Sequence, residues 1–201
     1  MEIDLRDLET RQAHDLLTSS VIPRPIAWVS TVNEQNELNL APFSFFTGVC
    51  WHPPTLAFCV ANRDDGTKKD TLLNIETTGE FVVHTVSVEL LQPMEHSARR
   101  IPRGEDLRSI ADITFVPSVT IRPPRIEQAR VAFECVLDRI IPVGTGIGGG
   151  NLILGCIQRL HVSDTLVIDG REIDWRGLDP LGRLSGNRYC AVRSVIESET
   201  N

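Results

Sequence analysis

No block or stripe of basic residues occurs in these 201 residues, and 20 Lys and Arg stand against 27 Asp and Glu, a formal charge of −7. The long-range field of such a chain repels phosphate backbones and argues against a nucleic-acid partner. No apolar run approaches the ~20 residues of a membrane-spanning helix. The start, Met1 to Asp7, is acidic rather than a basic region leading into an apolar one. A cytoplasmic protein with no membrane partner is expected. The five cysteines, at 50, 59, 135, 156 and 190, form no Cys-x-x-Cys pair. Most sit in strand-like settings such as Ala57-Phe58-Cys59-Val60, so buried reduced thiols are expected rather than disulfides or zinc, with a reactive thiol at Cys50 as the alternative.

Repeats, low-complexity tracts and linkers are also absent, and the length suits one domain over 1–201 with room for a sizeable core. Hydrophobic residues make up 41% and charged residues 23%, ordinary values for a globular protein. No Ser–His–Asp set or carboxylate pair stands out. His84 and His96 have no third ligand nearby, which favours hydrogen-bonded structural histidines over a metal pair. No metal is expected, and no side chain is marked as a nucleophile.

What is present concentrates in 24–51. Residues 26–31 are apolar and β-branched, Asn33-Glu34-Gln35-Asn36 is a polar turn, and a hairpin is the simplest reading. After the turn, Asn39-Leu40-Ala41-Pro42-Phe43-Ser44-Phe45-Phe46 packs three aromatic rings around a proline. Pro42 lacks the N–H of a sheet ladder, so this segment is expected at an edge, a bulge or a departure from the sheet. Such a wall suits a planar hydrogen-bonding heterocycle, and it equally suits an edge strand capping an ordinary core.

Four phrases, in this order, decide between those readings: Arg24-Pro25-Ile26-Ala27-Trp28-Val29-Ser30-Thr31, the aromatic segment 39–46, Lys69-Asp70-Thr71-Leu72-Leu73-Asn74-Ile75 and Gly79-Glu80-Phe81-Val82-Val83. Together they resemble the flavin reductase-like family of FMN-binding split barrels, over roughly 16–191. The resemblance implies a mainly β fold, an antiparallel split barrel of Greek-key type with a few peripheral helices, and closure of the barrel would remove exposed sheet edges. It implies FMN as cofactor, NAD(P)H as electron donor and a homodimer with the flavin between subunits. It also implies a cofactor site drawn from Arg24, Ser30, Thr31, Asn39, Ala41, Pro42, Phe43, Ser44, Phe45, Lys68, Lys69, Asp70 and Thr71. Phe45 and Phe46 would line the ring, Asn39 and Ser44 its polar edge, and Arg24, Lys68, Lys69 and Thr71 the phosphate end.

The rest of the chain reads as scaffold. Residues 5–17 suggest an amphipathic helix. Pro23 and Pro25 straddle Arg24 and hold it extended. Residues 55–61 are a buried strand. Thr67 and Asp70 match capping-box spacing before the stripe of Leu72, Leu73 and Ile75, and Gly79 lies just beyond, so a helix of about ten residues is expected with free first-turn N–H groups beside two lysines. A helix start with added cations is a generic anion site.

Another strand is expected over 80–86, and a short helix near Pro93. The family usually carries a Met-Asn and Thr-Ser pattern here, whereas this chain has Met94-Glu95-His96-Ser97. Arg99, Arg100 and Arg103 are candidates for holding a nicotinamide dinucleotide, with a solvated loop as the default. Strands are expected over 113–121, 131–141, 152–162 and 165–168, with a turn at Asp169-Gly170. Gly144-Thr145-Gly146-Ile147-Gly148-Gly149 formally satisfies a dinucleotide fingerprint, but a strand-like Leu152-Ile153-Leu154 follows where that fingerprint needs a helix, so it reads as a hairpin loop. Arg183 and Tyr189, in a segment resembling the family's closing one, either approach the flavin across a subunit boundary or build a structural turn.

The leading expectation is therefore an oxidoreductase moving electrons from NAD(P)H to flavin. An FMN-holding electron carrier or storage protein is the alternative, and a ligand-binding barrel without flavin is the third.

Overall fold

The computed structural model describes residues 1–99 and 113–198. In chain order it contains helix α1 (Thr10–Ser20) and strands β1 (Ala27–Val32), β2 (Leu38–Phe43), β3 (Phe46–Trp51) and β4 (Pro54–Ala61). Helix α2 (Asp70–Thr78), strand β5 (Glu80–His84) and helix α3 (Leu91–Ser97) follow. After them come β6 (Phe115–Val116), β7 (Arg125–Ile126), β8 (Val131–Val143), β9 (Gly150–Val162), β10 (Val167–Ile168) and β11 (Glu172–Ile173). Helix α4 (Trp175–Leu178) and the hairpin β12 (Leu181–Arg183) and β13 (Tyr189–Ala191) close the chain.

Seven strands form one antiparallel sheet in the order β2-β1-β5-β8-β9-β4-β3. Its two edge strands, β2 and β3, are consecutive in the chain and joined only by Ser44 and Phe45. A link that short reaches on the order of 10 Å, so the sheet coils until the end of β2 meets the start of β3, and among the described residues no ladder pairs the two strands. Register shifts between Glu134 and Cys135 and between Leu137 and Arg139 bend the long β8–β9 ribbon and assist that coiling. Pro42 pairs with Trp28 in the edge strand β2, the position its missing N–H permits.

The first hairpin is built by its turn. Asn33 Oδ1 accepts the N–H groups of Gln35 (3.0 Å) and Glu37 (2.8 Å), and Asn36 takes φ 61° in the left-handed region that asparagine tolerates. Both faces of β1 are buried, and its residues divide by alternation. Ala27 and Val29 join Phe43, Phe58, Leu72, Ile75, Phe81 and Ile153 in an inner core covered by α2. Ile26, Trp28 and Val32 join Leu38, Leu40, Leu90 and Met94 in an outer core under α3. Trp28 is fully buried and its indole N–H donates to Ser97 Oγ (2.8 Å), so its one polar atom is satisfied.

Residues 113–129 lie across the outer face as a strap held by sheet side chains. Ser30 Oγ donates to the Pro124 carbonyl (2.6 Å). His84 Nε2 accepts the Ile126 N–H (3.0 Å), which leaves Nδ1–H to donate to the Trp28 carbonyl (2.8 Å). Burial, helped by Arg125 and His161 and opposed by the Trp28 carbonyl, holds this imidazole at about 4 and therefore neutral. The buried Glu134 carboxylate accepts the amides of Val119 and Thr120 (both 2.7 Å), the Thr120 hydroxyl, and His161 Nε2 (2.6 Å). Burial opposes its charge, but those bonds outweigh it and hold the carboxyl at about 2.

Several expectations are corrected. Only two residues of 113–121 are strand, because the proline-rich segment takes side-chain partners from the sheet instead of a ladder. The first helix spans Thr10–Ser20, since Asp4 caps a separate 3-10 turn at Leu5–Asp7. Residues 164–166 are likewise a 3-10 turn before β10. All five cysteines lie on strands, yet only Cys135 is fully buried and Cys50 is exposed. The glycine-rich segment is the β8–β9 hairpin loop, as its following strand required.

Candidate functional site

Strand alternation puts Thr31 of β1 and Asn39, Ala41 and Phe43 of β2 on the inner face, where the first turns of α2 lie. Asn39 Nδ2 donates to Thr71 Oγ1 (2.8 Å) and Thr31 Oγ1 (3.2 Å), and Asn74 Nδ2 donates to Thr31 Oγ1 (3.0 Å). This network ties the edge strand to the start of α2. Thr71 is 1% exposed, so its hydroxyl serves the network. Sequence reasoning misses Asn74; its signal is an amide inside the apolar stripe of α2.

The start of α2 differs from the expected capping box. Lys69 occupies the N-cap with no side-chain cap bond. The Thr67 hydroxyl donates to Asp65 (2.6 Å), and Asp70 pairs with Arg63 (2.7 Å). The loop's own acids and bases have captured both expected cap partners; the Leu72 and Leu73 amides donate to the Lys69 carbonyl (3.0 and 3.1 Å), while those of Asp70 and Thr71 keep no acceptor among the described residues. The two lysines also separate. Lys68 Nζ is paired with Glu76 (2.6 Å), whereas Lys69 has no ion-pair partner among the described residues and lies 5.8 Å over the Phe43 ring. Burial and the charge of Arg63 hold Lys69 below the usual lysine range, against Asp64 and Cys59. An uncapped helix start and a half-buried unpaired cation share one end of an aromatic edge strand.

At the other end of β2 the chain crosses to β3 through Ser44 and Phe45. The Phe45 carbonyl accepts the Cys59 N–H (2.9 Å), and its ring is 41% exposed. Arg24 is 5% exposed and its Nε donates to Ser44 Oγ (3.3 Å). The guanidinium donates to acceptors of the chain itself, the carbonyls of Thr18, Val21 and Leu184 as well as Ser44. Ser30 lies on the opposite face from Thr31, with its hydroxyl given to the strap. Arg183 stacks on Tyr189 (4.5 Å) and donates to its hydroxyl and to the Gly186 carbonyl (2.6 Å), which is the turn-building role. Arg100 and Arg103 lie outside the described residues.

The flavin reductase like domain matches residues 18–174. An uncharacterised protein of Aquifex aeolicus is 36% identical over 189 residues, covering 94% of each chain. The structure of nitrilotriacetate monooxygenase component B from Bacillus cereus superposes with a TM-score of 0.93 at 33% identity, over 98% of both chains. That of Pseudomonas fluorescens 2-nitrobenzoate 2-nitroreductase does so with 0.85 at 29% identity, over 100% of this chain and 98% of the other. The fold and these matches define a flavin-binding class of mainly antiparallel split barrels with a few peripheral helices. This chain belongs to the flavin reductase-like family.

Proposed function

We propose that the protein is an FMN-dependent oxidoreductase of the flavin reductase type, taking electrons from NAD(P)H and acting as a cytoplasmic homodimer. The observation that carries this reading is the uncapped start of α2 with unpaired Lys69, set against the aromatic edge strand β2. A dianionic phosphate supplies what the first-turn amides and the ammonium lack. The edge of β2 from Asn39 to Phe43, without a strand partner among the described residues, offers with Ser44 backbone and hydroxyl groups to a heterocycle's polar rim, and the exposed Phe45 ring offers an apolar wall.

The residues present therefore fit FMN. Bound there, it would supply the redox chemistry, accepting hydride from a nicotinamide and passing electrons onward. The chain's task is to bind, orient and shield it. The relationship to a nitroreductase and to a monooxygenase component supports an electron-delivering role.

The dimer is motivated by β3, an edge strand paired only with β4 among the described residues, on which Val49 is 53% and Trp51 92% exposed. No described helix is long and apolar enough to cross a membrane.

The test is direct. Purified protein is mixed with FMN and with NADH or NADPH, and loss of reduced nicotinamide is followed by absorbance. Consumption with one donor supports the reading. Flavin binding without consumption of either donor would make the protein a carrier, and failure to bind FMN would remove the flavin reading altogether.

A further inference from the structure

Arg24 is a buried cation that no described carboxylate neutralises. Its Nη1 donates to the carbonyls of Thr18 and Val21 (2.8 Å), its Nη2 to the Leu184 carbonyl (3.0 Å) and its Nε to Ser44 Oγ (3.3 Å). The Phe45 ring lies 5.9 Å from its Cζ. Its backbone joins the same junction. Arg24 N–H donates to the Arg183 carbonyl (3.0 Å), and Arg183 N–H returns to Arg24 O (2.8 Å). The approach is close enough that a Cβ at Gly182 would stand 2.9 Å from Pro23 Cβ.

Three segments far apart in sequence thus meet on one side chain: the end of α1, the crossover between the sheet's two edges, and the hairpin β12–β13. Only a planar fork with donors pointing in several directions reaches all of these acceptors at once. Carbonyl dipoles carry the charge, and burial together with nearby Arg183 lowers the pKa of the guanidinium.

We propose that Arg24 is a positioning residue, a clamp that sets where the Ser44–Phe45 wall of the ligand site stands. The clamp is a property of the chain alone; its consequence for a ligand rests on the proposed flavin function. Two other roles make different predictions. A direct phosphate contact requires the charge and acts on FMN but not on riboflavin. A surface charge does neither.

The experiment uses the full chain without flavin and the variants Arg24→Gln, Arg24→Lys and Ser44→Ala. Amide exchange is followed at Cys59, which donates to the Phe45 carbonyl, and at Arg183 and Leu184, which donate to Arg24 O and Arg188 O. Dissociation constants for FMN and riboflavin are measured by fluorescence quenching. Both Arg24 variants should speed exchange at all three amides about tenfold relative to the centre of β5. They should also weaken both flavins by the same factor, about tenfold, because lysine keeps the charge but loses the fork. Ser44→Ala cuts one arm and should speed Cys59 alone, which keeps the test decisive if an arginine variant fails to fold.

Full rescue of flavin binding by lysine, loss of FMN affinity without loss of riboflavin, or unchanged exchange at Cys59 in the variants would each overturn the proposal. If the parent protein binds neither flavin, the flavin reading falls while the exchange results still decide the clamp.

Discussion

Replacing Lys69 by methionine tests the proposed phosphate end most sharply, because methionine keeps an apolar stem over Phe43 and removes only the ammonium. A hydrogen bond to a charged group contributes about 1.5–3 kcal/mol, and each 1.4 kcal/mol is tenfold in a dissociation constant. FMN should therefore bind about 10–100-fold more weakly to Lys69→Met, while riboflavin, which has no phosphate, should be nearly unaffected. Lys68→Met is the internal control. Its ammonium is paired with Glu76 at 2.6 Å and that pair is partly exposed, so its loss should change FMN binding by less than about threefold. Titration of each variant with both ligands by fluorescence quenching, repeated at high salt, completes the set. The parent should lose FMN affinity with salt more steeply than Lys69→Met does. Equal weakening of FMN and riboflavin would show that Lys69 supports the fold rather than a phosphate, and equal effects of the two lysines would show a diffuse field instead of a built contact.

Four further outcomes are expected. Truncating Phe45 to alanine should weaken both flavins by about 0.5–1.5 kcal/mol beyond the lost contact area, read by the same titration. Gly155→Ala places a methyl against the buried Phe81 ring, and this overpacking should lower stability by about 1–3 kcal/mol in urea melts. His84 is held at about 4 against an ordinary 6.5, so the unfolded chain binds its proton first as pH falls. Its contribution is complete above pH 6.5 and is lost progressively down to pH 4, with a ceiling near ~3 kcal/mol, and His84→Gln should flatten that slope in melts at pH 7, 5.5 and 4.5. Finally, Val49→Lys places a charge on the exposed β3 edge and should convert a dimer to a monomer in light scattering; a parent that is already monomeric when flavin is bound refutes the dimer.

Local chemistry is legible in the amino-acid chain by itself. Asn33 and Asn36 mark the first hairpin turn, Gly79 ends α2 in the left-handed conformation (φ 68°), and Pro42 marks an edge. Each depends on interactions within a few residues, so composition and spacing carry the signal. The phrases that carry the family are legible too, as a resemblance, because they also are contiguous runs.

Tertiary structure decides what those runs do. The spacing of Thr67 and Asp70 promises a capping box, yet Asp65 and Arg63 take both side chains and leave the helix start open. Adjacent Lys68 and Lys69 are equivalent as letters, and only the position of Glu76 and the Phe43 ring separates a paired cation from an available one. Arg24, between its two prolines, reads only as an extended residue, but the Leu184 carbonyl, 160 positions away, arrives to accept from it. The physical reason is the same in each case: a polar group's role depends on which partners reach it first, and those partners are brought by strand pairing over distances that no local pattern records.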